Sequence, residues 1–494
     1  MKRFFSHPFV ALAAGACLRL FFVLKFPSTS GDTVLYDQFA TNWLKLGKFA
    51  MDINGQPAPV DLRMPGYPAF LAIVYALTGR TGDAARLPVM LAQIVVDLAT
   101  CLVIAALAAL LARLAGQRNN SRRVFVVALW LAALCPFVAN YVAVPLTEVW
   151  AVFFNAVGFY LLSVLATQMD GSPVPLRDDY SLPADGTSKV ALLAGAAIGL
   201  GTLFRPETPL LLATSILVLG LLALRRHQLL RCIQLSVFAG VACVAFLIPW
   251  TIRNAITLHE FQPLAPKDAT LPSELDPQGF MAWERTWLYR VRDAYLVTWK
   301  LNDDVINLED IPPNAFDNQQ ERDRVAAVLE KYNDDLTWNA DEDAEFAQLA
   351  RERTSRHPLR TYVWIPARRA VRIWFTPRIE LLPVSGHVFP LAYQWEEDPI
   401  DQRVTVFFFL VGVFYVGLGL WGAWKIWRIP AARPAVAVLL AYILIRTAFL
   451  TTLEAPEPRY TLVCFPALIA LGSQVVCRKP AHSQRSVTCQ HLPV

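Results

Sequence analysis

Asp32 is a lone carboxylate just past the first apolar run, in Gly31-Asp32-Thr33-Val34-Leu35-Tyr36, and Arg63-Met64-Pro65-Gly66-Tyr67-Pro68 opens the return towards apolar sequence. An acid at the root of a loop that leaves a membrane can do proton chemistry on a substrate delivered by a lipid. A plain transporter has no need of it. Asp is also a favoured helix N-cap, and Leu35, Phe39, Trp43 and Leu46 keep helical spacing behind Asp32. Capping and catalysis are compatible, because a carboxylate at a helix start is well held. Asp37 reads as a solvated face residue. The prolines and glycine after Arg63 suit a rigid turn; the arginine itself suits an anionic headgroup.

Charged corners recur at other apolar-run ends: Thr147-Glu148, Arg205-Pro206-Glu207, Pro249-Trp250-Thr251-Ile252-Arg253-Asn254 and Glu457-Pro458-Arg459-Tyr460. With Arg19 and Arg63 they predict five arginines and several acids at one membrane face. Ionisable groups at a membrane edge are expensive, so such a cluster is a site hypothesis. Guanidinium is the preferred partner for phosphate because its fork holds two oxygens.

These residues must be positioned by membrane helices. The chain has 494 residues, 55% apolar and 17% charged, with mean hydropathy +0.39. Apolar stretches of about twenty residues, each able to cross a core of roughly 30 Å, recur along it. The fold class is all-α and polytopic, with about ten transmembrane helices near 8–26, 87–114, 122–138, 144–167, 189–204, 207–224, 230–250, 403–424, 434–453 and 460–477. Residues 66–78 are too short to span comfortably and read as an interfacial or half-buried helix. Short-loop arginines (Arg113, Arg118, Arg122, Arg123; Arg225, Arg226, Arg231; Lys425, Arg428, Arg433), with Lys2, Arg3, Arg478 and Lys479, place those loops and both termini in the cytoplasm. The first loop 27–86, a short piece near 139–148, the Arg205 corner and 251–402 then lie outside.

The organisation expected is an N-terminal transmembrane module over 1–250, an extracytoplasmic region over 251–402, C-terminal helices over 403–478 and a cytoplasmic tail over 479–494. Within 251–402, residues 301–350 hold fourteen acids against three bases and read as a solvated surface of short helices. Residues 351–378 hold eight arginines. Those near 359–376 alternate with Trp, Tyr, Ile and Val, the pattern of a helix in the headgroup layer.

Several classes are excluded. No basic run with interleaved aromatics suggests nucleic acid. The eight cysteines are scattered, and Cys17 reads as a buried hydrophobe rather than a lipidation site. Asp341-Glu342-Asp343 matches an acid-x-acid metal pattern, but it sits in an acidic helical run without alternating strands, which argues against that use. No His/Asp cluster stands near Asp32, so no metal ligand is assigned.

The ordered set of motifs resembles the GT-C type membrane glycosyltransferases of the glycosyltransferase 39, dolichyl-phosphate-mannose-protein mannosyltransferase-like and aminoarabinose-transferase kind. It comprises Gly31-Asp32 with Tyr36, Ala40 and Gly47; Arg63 with Pro65 to Pro68; Thr147-Glu148; Phe204-Arg205-Pro206; Pro249-Trp250 with Arg253-Asn254; and Glu457, Arg459 and Tyr460. The resemblance implies a bacterial plasma-membrane enzyme that takes a sugar from a polyprenyl-phosphate donor at the outer face. Its acceptor would be a glycan, lipid or protein hydroxyl. Asp32 matches the family's catalytic acid and would be the general base of an inverting displacement. Many relatives have Asp-Glu where this chain has Asp32-Thr33. Arg63, Arg205, Arg253 and Arg459 would meet the leaving phosphate, and Glu148 and Glu207 would orient sugar hydroxyls or arginines. Tyr67, Asn254 and Tyr460 complete the substrate-binding set. No cofactor is required, although some relatives bind a divalent ion. The rival readings are a lipid or polysaccharide transporter, a non-catalytic scaffold of the same fold in which Asp32 merely caps a helix, and a lipid-diphosphate-using polymerase or ligase.

Overall fold

A computed structural model describes residues 7–169, 186–266, 275–386, 388, 398–455 and 457–477, with the backbone of 174–175 and 181–182. Lys2, Arg3, Arg478, Lys479 and the 479–494 tail lie outside the described residues.

The chain is an α-helical integral membrane protein. Among the described residues, six helices are long and apolar enough to cross a membrane: Pro8–Lys25, Gly82–Leu114, Glu148–Gln168, Pro399–Trp427, Pro430–Leu450 and Pro458–Val476. Two bent pairs, Arg118–Ala133 with Pro136–Ala143 and Leu229–Ala245 with Ile248–Thr257, raise the number to eight if each is one span. Thr187–Thr202 and Pro209–Arg225 are apolar but only 16 and 17 residues long. All ten expected segments are therefore helical, yet six to eight have the length and composition of a span.

Close backbone contact holds the short helices. On Thr187–Thr202, a Cβ at Gly195 would lie 2.0 Å from the Ala239 carbonyl oxygen and one at Gly199 would lie 2.5 Å from that of Cys243. This small-xxx-small face lets two backbones approach where lipid offers no hydrophobic drive for association.

Arg19 departs from expectation. It is not at the outer face but fully buried in the first span, where Nε donates to Asp97 Oδ2 (2.5 Å) and Nη1 to the Ala133 and Gly15 carbonyls (2.6 and 3.0 Å). A charge in the hydrocarbon layer must be neutralised and hydrogen-bonded, and Asp97 inside Gly82–Leu114 does this. Cys17 also differs: it is exposed, whereas Cys101, Cys135, Cys232, Cys243, Cys464 and Cys477 are buried.

Outside the spans, the first loop folds into helix Gly31–Leu46, an antiparallel hairpin and helix Gly66–Thr78. The hairpin pairs Ala50 with Pro59 through Ile53 with Gln56. It turns at Asn54-Gly55, both at positive φ (52° and 77°), as a two-residue hairpin of this hand requires.

The acidic region is more than a solvated surface. Helices Gln278–Arg285, Gln319–Asp335 and Ala340–Arg356 enclose a separate core of Phe280, Trp283, Trp287, Tyr332, Trp338 and Phe346. The acids are its fastenings. Asp343 accepts from the Gly279 and Phe280 N–H groups (2.8 and 3.1 Å), and Glu342 completes a capping box with Asn339. Asp341-Glu342-Asp343 is thus committed at its second and third positions to structure.

Removing one partner of a buried ion pair strands the other, so Arg19→Met or Asp97→Leu alone is expected to cost about 3–5 kcal/mol. The double replacement should recover much of the loss. Unfolding midpoints of the detergent-solubilised single and double variants check this.

Candidate active site

The piece near 139–148, expected as a short loop on the outer side, is buried against its neighbours throughout and forms the floor of the site. Its helix stops before Val144, and the freed carbonyls are met from neighbouring elements. Gln93 Nε2 donates to the Val142 and Val144 carbonyls (3.1 and 3.0 Å), Ser28 N to that of Ala143 (2.9 Å) and Thr33 Oγ1 to that of Pro145 (3.2 Å). Buried irregular backbone survives only with such partners. The segment delivers Thr147 and Glu148 to the start of Glu148–Gln168.

A second contact brings two motifs together. The Gly66 N–H donates to the Leu203 carbonyl (2.7 Å), and a Cβ at Gly66 would lie 2.6 Å from that oxygen. Only glycine lets the Arg63 turn press against Phe204-Arg205.

Asp32 does not cap its helix. Ser30 is the N-cap, and its N–H donates to Thr33 Oγ1 (3.1 Å). Thr33 is fully buried. It fastens the cap to the Pro145 carbonyl, so its position serves structure and adds no second acid to the site. Asp32 is left to Arg63, whose Nη2 donates to Oδ1 at 2.7 Å, with Arg459 Nη2 at 3.9 Å from Oδ2. Both Asp32 and Arg63 keep 28% of their side-chain surface exposed, so the pair can meet a ligand.

Arg459 is the hub. Besides Asp32 it reaches Glu148 Oε1 (3.6 Å) and Glu457 Oε2 (2.6 Å). Arg205 pairs with Glu148, with Glu207 Oε1 (3.3 Å) and with Thr147 Oγ1 (2.9 Å). Tyr460 joins the two arginines. Its hydroxyl donates to Glu457 Oε1 (2.7 Å), and its ring lies 5.2 Å from the Arg205 guanidinium and 5.4 Å from that of Arg459. Glu148 Oε2 is buried and accepts no hydrogen bond.

Burial alone would raise the Asp32 carboxyl, but the Arg63 charge and hydrogen bond outweigh it, helped by Arg459 and Arg205, and hold it below the usual range. Burial likewise opposes ionisation of Glu207, yet Arg446 and Arg205 pull it down to about 2. For Glu457 burial prevails over Arg459 and raises the carboxyl.

Asp32, Arg63, Glu148, Arg205, Glu207, Arg459 and Tyr460 therefore converge. Tyr67 stands behind them. It is fully buried, edge-on to Tyr36 at 5.1 Å, and its hydroxyl donates to Gln93 Oε1 (2.8 Å). Arg253 and Asn254 are used elsewhere. Arg253 donates to the Val60 and Phe49 carbonyls (2.8 and 2.6 Å) and lies 5.1 Å from the Trp250 ring, stapling the hairpin to the bent helix pair. Asn254 Nδ2 donates to the Gln262 carbonyl (2.7 Å). Asp37, expected to face solvent, accepts from the Tyr75 hydroxyl, and burial raises its carboxyl.

Sequence reasoning missed Arg446, which is 1% exposed and donates to Glu207 Oε1 (3.0 Å). Its signal was an arginine inside an otherwise apolar helix. Among the described residues no group of three or more His, Cys, Asp or Glu side chains is placed to hold a metal ion.

No family model matches the chain, and no curated protein matches it. Solved structures are similar at a distance. An oligosaccharyltransferase, AglB from Archaeoglobus fulgidus, in complex with an inhibitory peptide and a dolichol-phosphate, is 12% identical over 94% of this chain and 50% of its own, with TM-score 0.48. ArnT from Cupriavidus metallidurans bound to undecaprenyl phosphate is 14% identical over 94% of this chain and 77% of its own, with TM-score 0.41. This chain spans half the length of the archaeal protein. At such identities and scores, neither likeness assigns a family.

Because the folded Glu207 carboxyl titrates below its ordinary value of 4.5, its ion pairs stabilise the protein fully above about pH 4.5 and less as pH falls towards about 2. Glu207→Gln should therefore lower the thermal midpoint at neutral pH, with the gap to wild type narrowing through that acid window. Midpoints of both proteins measured across the window check the sign.

Proposed function

We propose that this site transfers a sugar from a polyprenyl-phosphate donor to an acceptor hydroxyl, as in GT-C type glycosyltransferases. The observation that carries the reading is Asp32. It is an ionised, partly exposed carboxylate in contact with Arg63 at 2.7 Å and within 3.9 Å of Arg459, on a span-end surface that a lipid phosphate can reach.

In the proposed step the acceptor oxygen attacks the anomeric carbon while its proton passes to Asp32. The bond from that carbon to the phosphate oxygen breaks, inverting the centre, and the polyprenyl phosphate leaves with the electron pair. A carboxylate held down by arginine is a weak base at rest. Phosphate binding corrects this, because it draws Arg63 and Arg459 from Asp32 and strengthens the base near the attacking hydroxyl. The exchange also works in reverse. As Asp32 takes the proton its charge disappears, and the guanidiniums then face the charge growing on the phosphate, which is electrostatic stabilisation timed to the reaction. The open lone pair of Glu148 Oε2 suits a sugar hydroxyl, since buried acceptors are normally satisfied. Arg205, Glu207 and Arg446 hold Glu148 and Arg459 in place.

The reading carries a topology: a bacterial plasma membrane, both termini cytoplasmic, and the site on the outer face. It also divides the chain into a catalytic module over 1–250, an outer region over 251–402 and closing helices over 403–478. The transporter reading finds less support. The intramembrane pair Arg19–Asp97 is closed to solvent, at 0% and 1% exposure, and bonded to backbone rather than lining a path.

Membranes given a labelled polyprenyl-phosphate sugar and crude acceptors should transfer label with wild-type protein and lose about 100-fold or more of the rate with Asp32→Asn. Equal transfer at matched protein level would overturn the base assignment. Arg459→Ala should weaken donor use, whereas Arg253→Ala should lower the thermal midpoint through loss of the hairpin staple.

A further inference from the structure

The arginines of 351–378 are turned in two directions. Arg353 fastens Glu321 (2.7 Å), Arg369 donates to the Leu288 and Thr451 carbonyls (2.7 and 3.0 Å), and Arg378 donates to the Pro458 carbonyl (2.6 Å). Helix Ile365–Trp374 makes the division plain. Ile365, Arg369 and Ile373 recur at four-residue spacing and are buried. Trp364, Arg368, Val371 and Phe375 turn away from them and are exposed, Trp364 by 65% and Val371 by 57%, and Arg372 is exposed at the edge of the buried stripe.

The depth of this helix is set by its inner face. Trp374 Nε1 donates to Thr447 Oγ1 (2.9 Å) and Arg369 Nη1 to the Thr451 carbonyl (3.0 Å). Both partners lie at the end of the apolar span Pro430–Leu450, where a helix leaves the hydrocarbon. The outer face is therefore at headgroup level.

That face also carries unneutralised charge. The Arg368 and Arg290 guanidiniums lie 5.2 and 5.3 Å from the Tyr289 ring, brought together from two segments. Neither forms an ion pair with a carboxylate among the described residues. Asp293, whose charged neighbours are Arg290, Arg292 and Arg372, is itself buried. Two like charges gathered on one aromatic ring, beside exposed Trp and Phe, have the charge and shape that a lipid phosphate complements.

We propose that this face docks the outer domain on a bilayer surface of anionic phospholipid. Arg290 and Arg368 grip a headgroup phosphate over Tyr289, Arg372 lies alongside, and Trp364, Val371 and Phe375 seat among the upper acyl chains. The site is separate from the Asp32 cluster and does not depend on the transfer reaction.

The test uses full-length protein with p-benzoylphenylalanine at Trp364, reconstituted in nanodiscs of phosphatidylcholine mixed with phosphatidylglycerol, and reads photo-adducts by mass spectrometry. The expected result is a ratio of phosphatidylglycerol to phosphatidylcholine adducts raised about fivefold or more over the ratio of the two lipids in the disc. Arg290→Gln combined with Arg368→Gln should abolish the enrichment while the lipid adduct itself persists. Wild-type adducts that mirror the disc composition, or no lipid adduct, would overturn the proposal without recourse to any variant. Enrichment that survives in the folded double variant would overturn the assignment to this arginine pair.

Discussion

A carboxylate at the edge of a hydrocarbon layer stays ionised only beside a cation, and the contact between Asp32 and Arg63 meets that requirement here. The elements around the site are arranged to bring such partners together. Asp32 starts the first outer helix, Arg63 lies beyond the hairpin, Arg205 follows a short apolar helix and Arg459 begins the last span. Low dielectric makes each pairing strong and each unpaired charge costly. The charges therefore fall into a continuous alternation running from Arg63 through Asp32, Arg459, Glu148, Arg205 and Glu207 to Arg446.

In the proposed reaction, this alternation lets one site both hold a base and receive an anion. Each guanidinium of this alternation is paired with a carboxylate, so an incoming phosphate must compete for cations already engaged. Competition is easiest at the exposed end, where Asp32 and Arg63 meet solvent. At the other end Glu207 is gripped by Arg205 and by the buried Arg446. The network thus combines contacts open to exchange, at Asp32 and Arg63, with fixed ones around the buried Glu148 and Arg446. The unwound floor at 142–145 keeps the fixed end in register through the carboxamide of Gln93 and the hydroxyl of Thr33.

Much of this was legible in the sequence. The apolar runs gave the helices, and the span-end corners supplied most of the converging residues, because charge next to hydrocarbon needs a reason. Other features were hidden for physical reasons. Arg446 looked like part of an apolar span, since its partner lies far away in the chain. Arg253 has the same local appearance as Arg459, yet the backbone carbonyls it serves belong to a hairpin that only the fold brings near. Thr33 read as a missing acid, whereas burial against Pro145 makes a hydroxyl the suitable group. The acidic stretch concealed its core because Phe280, Trp283, Trp287, Trp338 and Phe346 are widely spaced among polar residues.

The central claim is that the Asp32, Arg63 and Arg459 surface is where a lipid phosphate sits. A cryo-electron microscopy map of the full-length protein with bound polyprenyl phosphate tests it most directly. The account predicts phosphate density within hydrogen-bond distance, ~3 Å, of Arg63 or Arg459, with the Arg63 to Asp32 contact loosened. Phosphate bound away from both arginines, with that contact intact, would contradict it.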